Sequence, residues 1–308
     1  MIDRAPPPSD GLETLTAASI QMEPHLGDVQ RNLEATTSLL EGAFADGARL
    51  AVLPEACSSG YMFHDADEAR GVAELVPKGP ACTTWTRLCA SYGGYLVAGI
   101  LEKESGSLYN TAVLLGPDGL VGKYRKVHLW AKEHSLYSPG DLGFPVYETA
   151  IGRLGMAICY DAWFPETTRC LALGGADIVC IPANWVPVPG QPANYPPLAH
   201  MMLMTAAHSN LVYVVAADRV GCERGQDFLG CSIIVDSQGW PISGPASDRA
   251  TEVLLAELRP VGSRQERASR EFNNPLAERR PDVYTPMAGA GPLPVATKPT
   301  FYVSNKER

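Results

Sequence analysis

The sequence predicts an α/β protein built on mixed β-sheet, and three observations carry that prediction. Short apolar runs of strand length alternate with segments whose apolar residues recur at helical spacing. A strong turn signal, Gly116-Pro117-Asp118-Gly119, joins two strand-like runs directly, so hairpins are interspersed with helical crossovers and strand directions are mixed. With 45% hydrophobic residues in 308, the chain can bury a large core.

Taken in order, residues 1–14 are Pro-rich and polar and read as a flexible N-terminal arm. Residues 15–22 read as a strand, 27–44 as a helix carrying Val29, Leu33, Leu40 and Phe44 at helical spacing, and 49–55 as a second strand ending on Glu55. A helix is expected at 81–92 and a strand at 95–100. The hairpin 108–126 follows, its second arm leading into Tyr124-Arg125-Lys126. Residues 129–147 read as irregular.

The stretch 151–169 is an apolar strand that stops at Cys159 and turns at Phe164-Pro165-Glu166 into a short helix. A strand follows at 176–183. Residues 184–197 hold five prolines and read as a long loop over a pocket. Then come a helix at 198–210, a strand at 211–218, a polar loop at 219–227, a strand and turn within 231–242, and a last strand at 252–258. Residues 15–260 form one domain on this reading, and 261–308 a polar, Pro-rich C-terminal tail at an oligomer interface. No internal repeat is visible.

A formal charge of −9 argues against a nucleic-acid or anionic-membrane surface. No stretch approaches the roughly 20 apolar residues of a membrane span, and the N-terminus lacks the basic start and apolar core of a secretory signal, so a cytoplasmic setting is expected. The eight cysteines are scattered without a Cys-x-x-Cys pair, which points to reduced thiols and to neither zinc nor a disulfide framework.

A strand that ends on a thiol and becomes a helix places that thiol at the carboxyl edge of a sheet, beside backbone N–H groups. Cys159 is therefore the first candidate nucleophile. It needs a base and donors for an oxyanion. Of the six histidines only His128 lies at a predicted strand end, and a Cys–His arrangement stays open. Carboxylate and ammonium can do the same work: Glu55 emerges behind Pro54 at a strand end, Lys126 follows another strand and would favour the thiolate, and the backbone N–H of Tyr160 is a second oxyanion donor. Singly, each has an ordinary reading as a core thiol or a solvated charge. Together, at the ends of three strands, they point to one site.

Leu53-Pro54-Glu55, the run at 122–129 through Lys126, and residues 155–169 with Cys159-Tyr160-Asp161 occur in the order that resembles the nitrilase superfamily of carbon-nitrogen hydrolases, over roughly residues 15–258. Pro182-Ala183-Asn184-Trp185 and Phe228-Leu229-Gly230-Cys231-Ser232 add to the likeness. The resemblance implies a four-layer αββα sandwich with two mixed β-sheets, assembling as a homodimer or higher homo-oligomer. It implies Glu55 as general base, Lys126 as transition-state stabiliser, Cys159 as nucleophile and Glu133 as the second glutamate that orients Lys126. No metal or organic cofactor is implied, and the partners are a small-molecule amide and water.

The residues after the cysteine narrow the substrate. True nitrilases resemble one another in a Trp-Glu pair there, where this chain has Tyr160-Asp161, and enzymes of anionic acyl groups carry an arginine where this chain has Ala162 and Trp163. Asp161 also reads as a cap for the following helix. Trp163 in Trp-Phe-Pro-Glu resembles enzymes of carbamoylputrescine. Trp163, Trp185, Tyr61 and Phe63 are candidate pocket walls. Where many relatives carry Arg-Ala-x-Glu-Asn, this chain has Ala206-Ala207-His208-Ser209-Asn210, and His208 is expected to occupy part of the vacated space. The resulting expectation is an amidase of small primary amides. The alternatives are an N-carbamoyl-amine hydrolase, a nitrilase, or a non-catalytic binding relative, the last opposed by the intact Glu55, Lys126 and Cys159.

Overall fold

The computed structural model describes residues 13–192 and 194–284, so residues 1–12 of the expected arm and 285–308 of the expected tail lie outside the described residues. The first half of the chain runs through β1 (Leu15–Gln21), α1 (Val29–Ala45), β2 (Leu50–Val52), α2 (Ala66–Val72), α3 (Pro80–Tyr92), β3 (Tyr95–Glu104), β4 (Ser107–Gly116) and β5 (Gly119–Arg125). The second half continues with α4 (Glu133–Leu136), β6 (Val146–Thr149), β7 (Gly152–Met156), a 3₁₀ turn (Cys159–Trp163), α5 (Pro165–Leu173), β8 (Ile178–Pro182), α6 (Leu198–Asn210) and β9 (Tyr213–Ala217). A two-stranded hairpin, β10 (Cys222–Glu223) and β11 (Gln226–Asp227), precedes β12 (Ile233–Val235), β13 (Pro241–Ser243), β14 (Glu252–Leu258) and α7 (Pro260–Ser269).

Two six-stranded sheets result, ordered β14-β1-β2-β3-β4-β5 and β13-β12-β9-β8-β7-β6. Period-two alternation sorts their side chains. Leu50 and Val52 of β2 face the second sheet and join Val97, Leu114, Leu154, Met156 and Val214 in the central core. Ala51 and the following Leu53 face the other way, against Leu40 of α1 and Trp85 of α3. Leu171 of α5 and Leu203 of α6 close the far side of the second sheet. Helices, sheet, sheet and helices thus form the expected four-layer αββα sandwich. A hydrogen bond crosses between the sheets, from Ser19 Oγ to Ala216 O at 2.7 Å.

Local chemistry explains the helix ends. Asp28 Oδ1 accepts from the N–H of Arg31 at the start of α1, and Gly93, in the left-handed region at φ 64°, ends α3 behind its leading Pro80. The strand β3 runs past the expected residue 100 to Glu104, because it pairs with β4 along its whole length. Helix α2 went unforeseen, as did α4 inside the segment read as irregular.

The two sheets repeat one pattern that the sequence did not reveal. Read from β14, successive pairings are antiparallel, parallel, parallel, antiparallel and antiparallel. Read from β6, the order is the same.

Residues 261–269, expected to begin a tail, are helical and pack on their own chain. The buried Asp177 carboxylate accepts from Arg264 Nε at 3.0 Å and Arg267 Nη2 at 3.4 Å, fixing α7 beside β8. Among the described residues no helix is long and apolar enough to cross a membrane, and no group of three or more His, Cys, Asp or Glu is placed to hold a metal.

Candidate active site

The chain brings its strand-end residues together by simple means. After β2 the backbone N–H of Leu53 still bonds Val97 O, and the chain then lifts off the sheet, with Glu55 N reaching Ala183 O beyond β8 of the opposite sheet at 3.4 Å. Gly99 permits this crossing, because a Cβ there would lie 2.5 Å from Glu55 Cα. Lys126 follows β5 directly and its N–H donates to Asn110 O of β4 at 2.8 Å. Cys159 follows β7 in the left-handed region at φ 47°, a conformation that costs a non-glycine residue about 1–2 kcal/mol and turns the chain into its 3₁₀ turn.

Lys126 Nζ donates to Glu55 Oε1 at 2.7 Å and to Glu133 Oε1 at 3.0 Å. Asn110 Nδ2 donates to the same two oxygens, at 2.6 and 2.7 Å. The N–H of Trp130 donates to Glu133 Oε2 at 2.6 Å. Glu133 is therefore held at both oxygens, whereas Glu55 Oε2 is buried with no partner in the protein.

Burial pushes the Glu55 carboxyl up to about 7, with the Glu133 charge adding to the rise and Lys126 opposing it. Burial alone would lower the Lys126 ammonium, but Glu133 and Glu55 together hold it well above the usual lysine range. Burial, reinforced by the Glu55 charge, holds the Cys159 thiol well above its ordinary value against Lys126 and a hydrogen bond from the Asn184 backbone N–H. Lys126 thus favours the thiolate as expected, but burial and the Glu55 charge outweigh it. The thiol is held protonated within electrostatic reach of a carboxyl whose pKa is about 7 and whose Oε2 has no protein partner.

A cleft of about 290 Å³ opens over Cys159, lined by Trp130, Tyr160, Trp163, Asn184, Trp185 and the 186–189 segment, with Leu198 at its edge. Trp185 Nε1 donates to Cys159 O at 3.3 Å, and Trp163 lies 6.1 Å from Trp185 between ring centroids. Tyr61 and Phe63, read as walls of the same pocket, instead line a neighbouring chamber of about 320 Å³ with Glu133 and Leu136, and Trp130 lines both spaces. Tyr61 packs edge-on against Phe228.

Asp161 does not cap the following helix, whose N-cap position is Phe164. Its carboxylate accepts from Tyr124 Oη at 2.8 Å, from the backbone N–H of Ile158 at 2.9 Å and of His128 at 3.0 Å, and meets His128 Nδ1 at 2.8 Å. His128 is thus engaged by Asp161 and stacks on Phe164 at 3.6 Å. His208 lies exposed on α6 and bonds Gln238 O.

The sequence left Asn110, Tyr137, Trp130 and Asn184 without a role. Asn110 had a signal: it is polar and sits in an otherwise apolar strand run, where a buried amide must find partners. Asn184 lies in the Asn-Trp motif, and both polar atoms of its side chain are buried without a protein partner.

Comparison with known proteins agrees with this architecture. The protein is 38% identical to a protein named nitrilase from Pyrococcus abyssi over 87% of this chain and 98% of that one. It is 31% identical to an (R)-stereoselective amidase of Pseudomonas sp. over 85% and 90% of the two chains. The crystal structure of a carbon-nitrogen hydrolase from Helicobacter pylori G27 superposes with a TM-score of 0.79 at 27% identity, covering 90% of this chain and 99% of that chain. A family model described as Carbon-nitrogen hydrolase matches residues 16–267, and the chain belongs to that family, within the nitrilase superfamily.

Proposed function

We propose that this protein is a cysteine-dependent amidase that hydrolyses small primary carboxylic amides to the acid and ammonia through a thioester acyl-enzyme. The observation that carries the substrate reading is the cleft over Cys159, whose described lining holds three tryptophans and no charged side chain. A carboxylate-bearing acyl group would find no guanidinium there, and a distal ammonium no carboxylate. The buried Asn184 carboxamide offers an acceptor and a donor, and only its acceptor has use for the N–H of an amide; a nitrile has none to give.

In the proposed cycle Glu55 Oε2 takes the Cys159 proton as sulfur attacks the amide carbon. The developing oxyanion rests against Lys126 Nζ and the Tyr160 N–H at the start of the 3₁₀ turn. Glu55 returns its proton to the leaving nitrogen, ammonia departs, and Glu55 then accepts a proton from the water that opens the thioester. Glu133 acts as the positioning residue that holds Lys126. The outer face of α5 and α6, grooved between Arg169, Leu173, Met202 and Thr205, is the proposed seat of a second copy of the chain, and a monomeric mass by light scattering would overturn that part.

The test is release of ammonia and carbon dioxide across primary amides, nitriles, N-carbamoyl amines and N-carbamoyl amino acids, with Cys159→Ala as the blank. Ammonia alone from neutral amides is expected. Equimolar carbon dioxide from a carbamoyl amine, or turnover confined to nitriles, would replace the reading.

A further inference from the structure

We propose that Tyr137 is a further catalytic residue, its phenol oxygen holding the water that opens the thioester. The inference rests on the acyl-transfer reading above and adds the group that serves the second half of the cycle.

Among the described residues nine buried side-chain polar atoms have no protein partner, and six of them belong to Glu55, Asn110, Tyr137, Asn184 and Asp218, all in or against the site. The other three are spread over Glu74, Thr167 and Asn210, and each unpaired buried atom carries a penalty of about 1–3 kcal/mol. Such a concentration marks groups whose partners arrive with the reaction.

Tyr137 closes α4 as its C-cap residue, four positions after Glu133, and its N–H bonds Glu133 O at 2.8 Å, which ties the two residues together through the backbone. Its ring is buried in the cluster that holds Leu129, Tyr61 and Ala56, the residue next to Glu55. Burial, then the charges of Glu133 and Glu55, keeps the phenol protonated far above its ordinary range. Tyr137 therefore serves as a hydrogen-bonding group and not as an acid or base.

An attacking water needs one group to take its proton and another to fix its second O–H. Glu55 Oε2 takes the first proton, and the Tyr137 oxygen accepts the second O–H as a hydrogen bond. The water oxygen bonds to the thioester carbon, and the carbonyl electron pair moves onto the oxygen facing Lys126. Collapse breaks the carbon–sulfur bond, the proton on Glu55 passes to the leaving sulfur, and the acid is released with Tyr137 unchanged. Acylation consumes no water, so Tyr137 has no part in it.

The experiment uses p-nitrophenyl acetate, which acylates the thiol with release of nitrophenolate and leaves an acetyl-enzyme for water to clear. Tyr137→Phe removes no protein hydrogen bond and should melt with the wild type. Its burst rate should stay within about twofold of wild type while steady-state turnover falls about tenfold, and hydroxylamine, a nucleophile that needs no such aiming, should recover most of that loss. Burst and steady state falling together, or neither falling, overturns the proposal. A burst that survives in Cys159→Ala overturns the acyl-enzyme reading beneath it.

Discussion

The carboxylate of Asp161, two residues past Cys159, lies 2.8 Å from the hydroxyl of Tyr124, two residues before Lys126. His128, two residues after Lys126, bonds the other oxygen of the same carboxylate. One side chain thus ties the nucleophile's turn to both flanks of the lysine. Asp161→Asn would turn an NH₂ toward donors on one side. Its kcat/KM should fall about 100-fold, ~2.7 kcal/mol of transition-state stabilisation, with KM little changed. Tyr124→Phe, losing one bond of the set, should fall about tenfold. Equal activity in both variants and the wild type would show that the clamp is without consequence.

The acid limb of the pH profile follows from Glu55. As the proposed base it works deprotonated, and its pKa is about 7, so activity is present above that value and is lost as pH falls through it. Lys126, held well above the usual lysine range, adds no alkaline limb near neutrality. Log kcat/KM measured from about pH 5 to 9 should rise with unit slope and level off near neutrality. Glu55→Gln should remove the activity, not shift the limb.

Lys126→Met should destabilise the fold as well as abolish turnover. It leaves Glu55 and Glu133 buried with Asn110 as their shared donor. Breaking a buried ion cluster by removing one partner costs about 3–5 kcal/mol. The Glu55 carboxyl, already raised by burial and no longer opposed by Lys126, would lie further above its unfolded value, so stability is fuller in acid and is lost as pH rises through the raised value. Urea unfolding at mildly acidic and mildly alkaline pH should show the variant's deficit growing with pH.

Gly99→Ala tests the crossing beneath the base. The added methyl would meet Glu55 Cα at 2.5 Å and Ala56 N at 2.6 Å, both backbone atoms that cannot swing aside. Glu55 should move off Lys126, and kcat should drop at least 100-fold while circular dichroism stays native. A fully active Gly99→Ala protein would show that the backbone there yields.

Much of this was legible because strand ends are punctuated in the sequence. Glu55 and Cys159 each close an apolar run and Lys126 directly follows the second arm of a hairpin, and β-strand period and register carry them to a common edge. Asp161 was misread for the reason that local rules fail generally: capping is a choice among neighbours, and Tyr124 and His128, distant in sequence, outcompeted the helix. Tyr137 and Trp130 lay in a segment with no periodicity, where nothing fixes the direction of a side chain. Tyr61 and Phe63 line a different space from the Cys159 cleft, with Trp130 common to both, and the backbone of Trp130 is held by Glu133, a contact local sequence does not announce. The matching strand directions of the two sheets are a property of hydrogen-bond polarity, which side-chain identity does not encode.

That matched pair of sheets divides the chemistry between them. Glu55, Asn110 and Lys126 belong to the first sheet, Cys159 and Asn184 to the second, and the first sheet gains its outer strand β14 only from near the end of the described chain. Neither half alone holds both Cys159 and Glu55. On the proposed reading the thiol and its base come together only when the two sheets close face to face, so turnover itself would report that the molecule is finished.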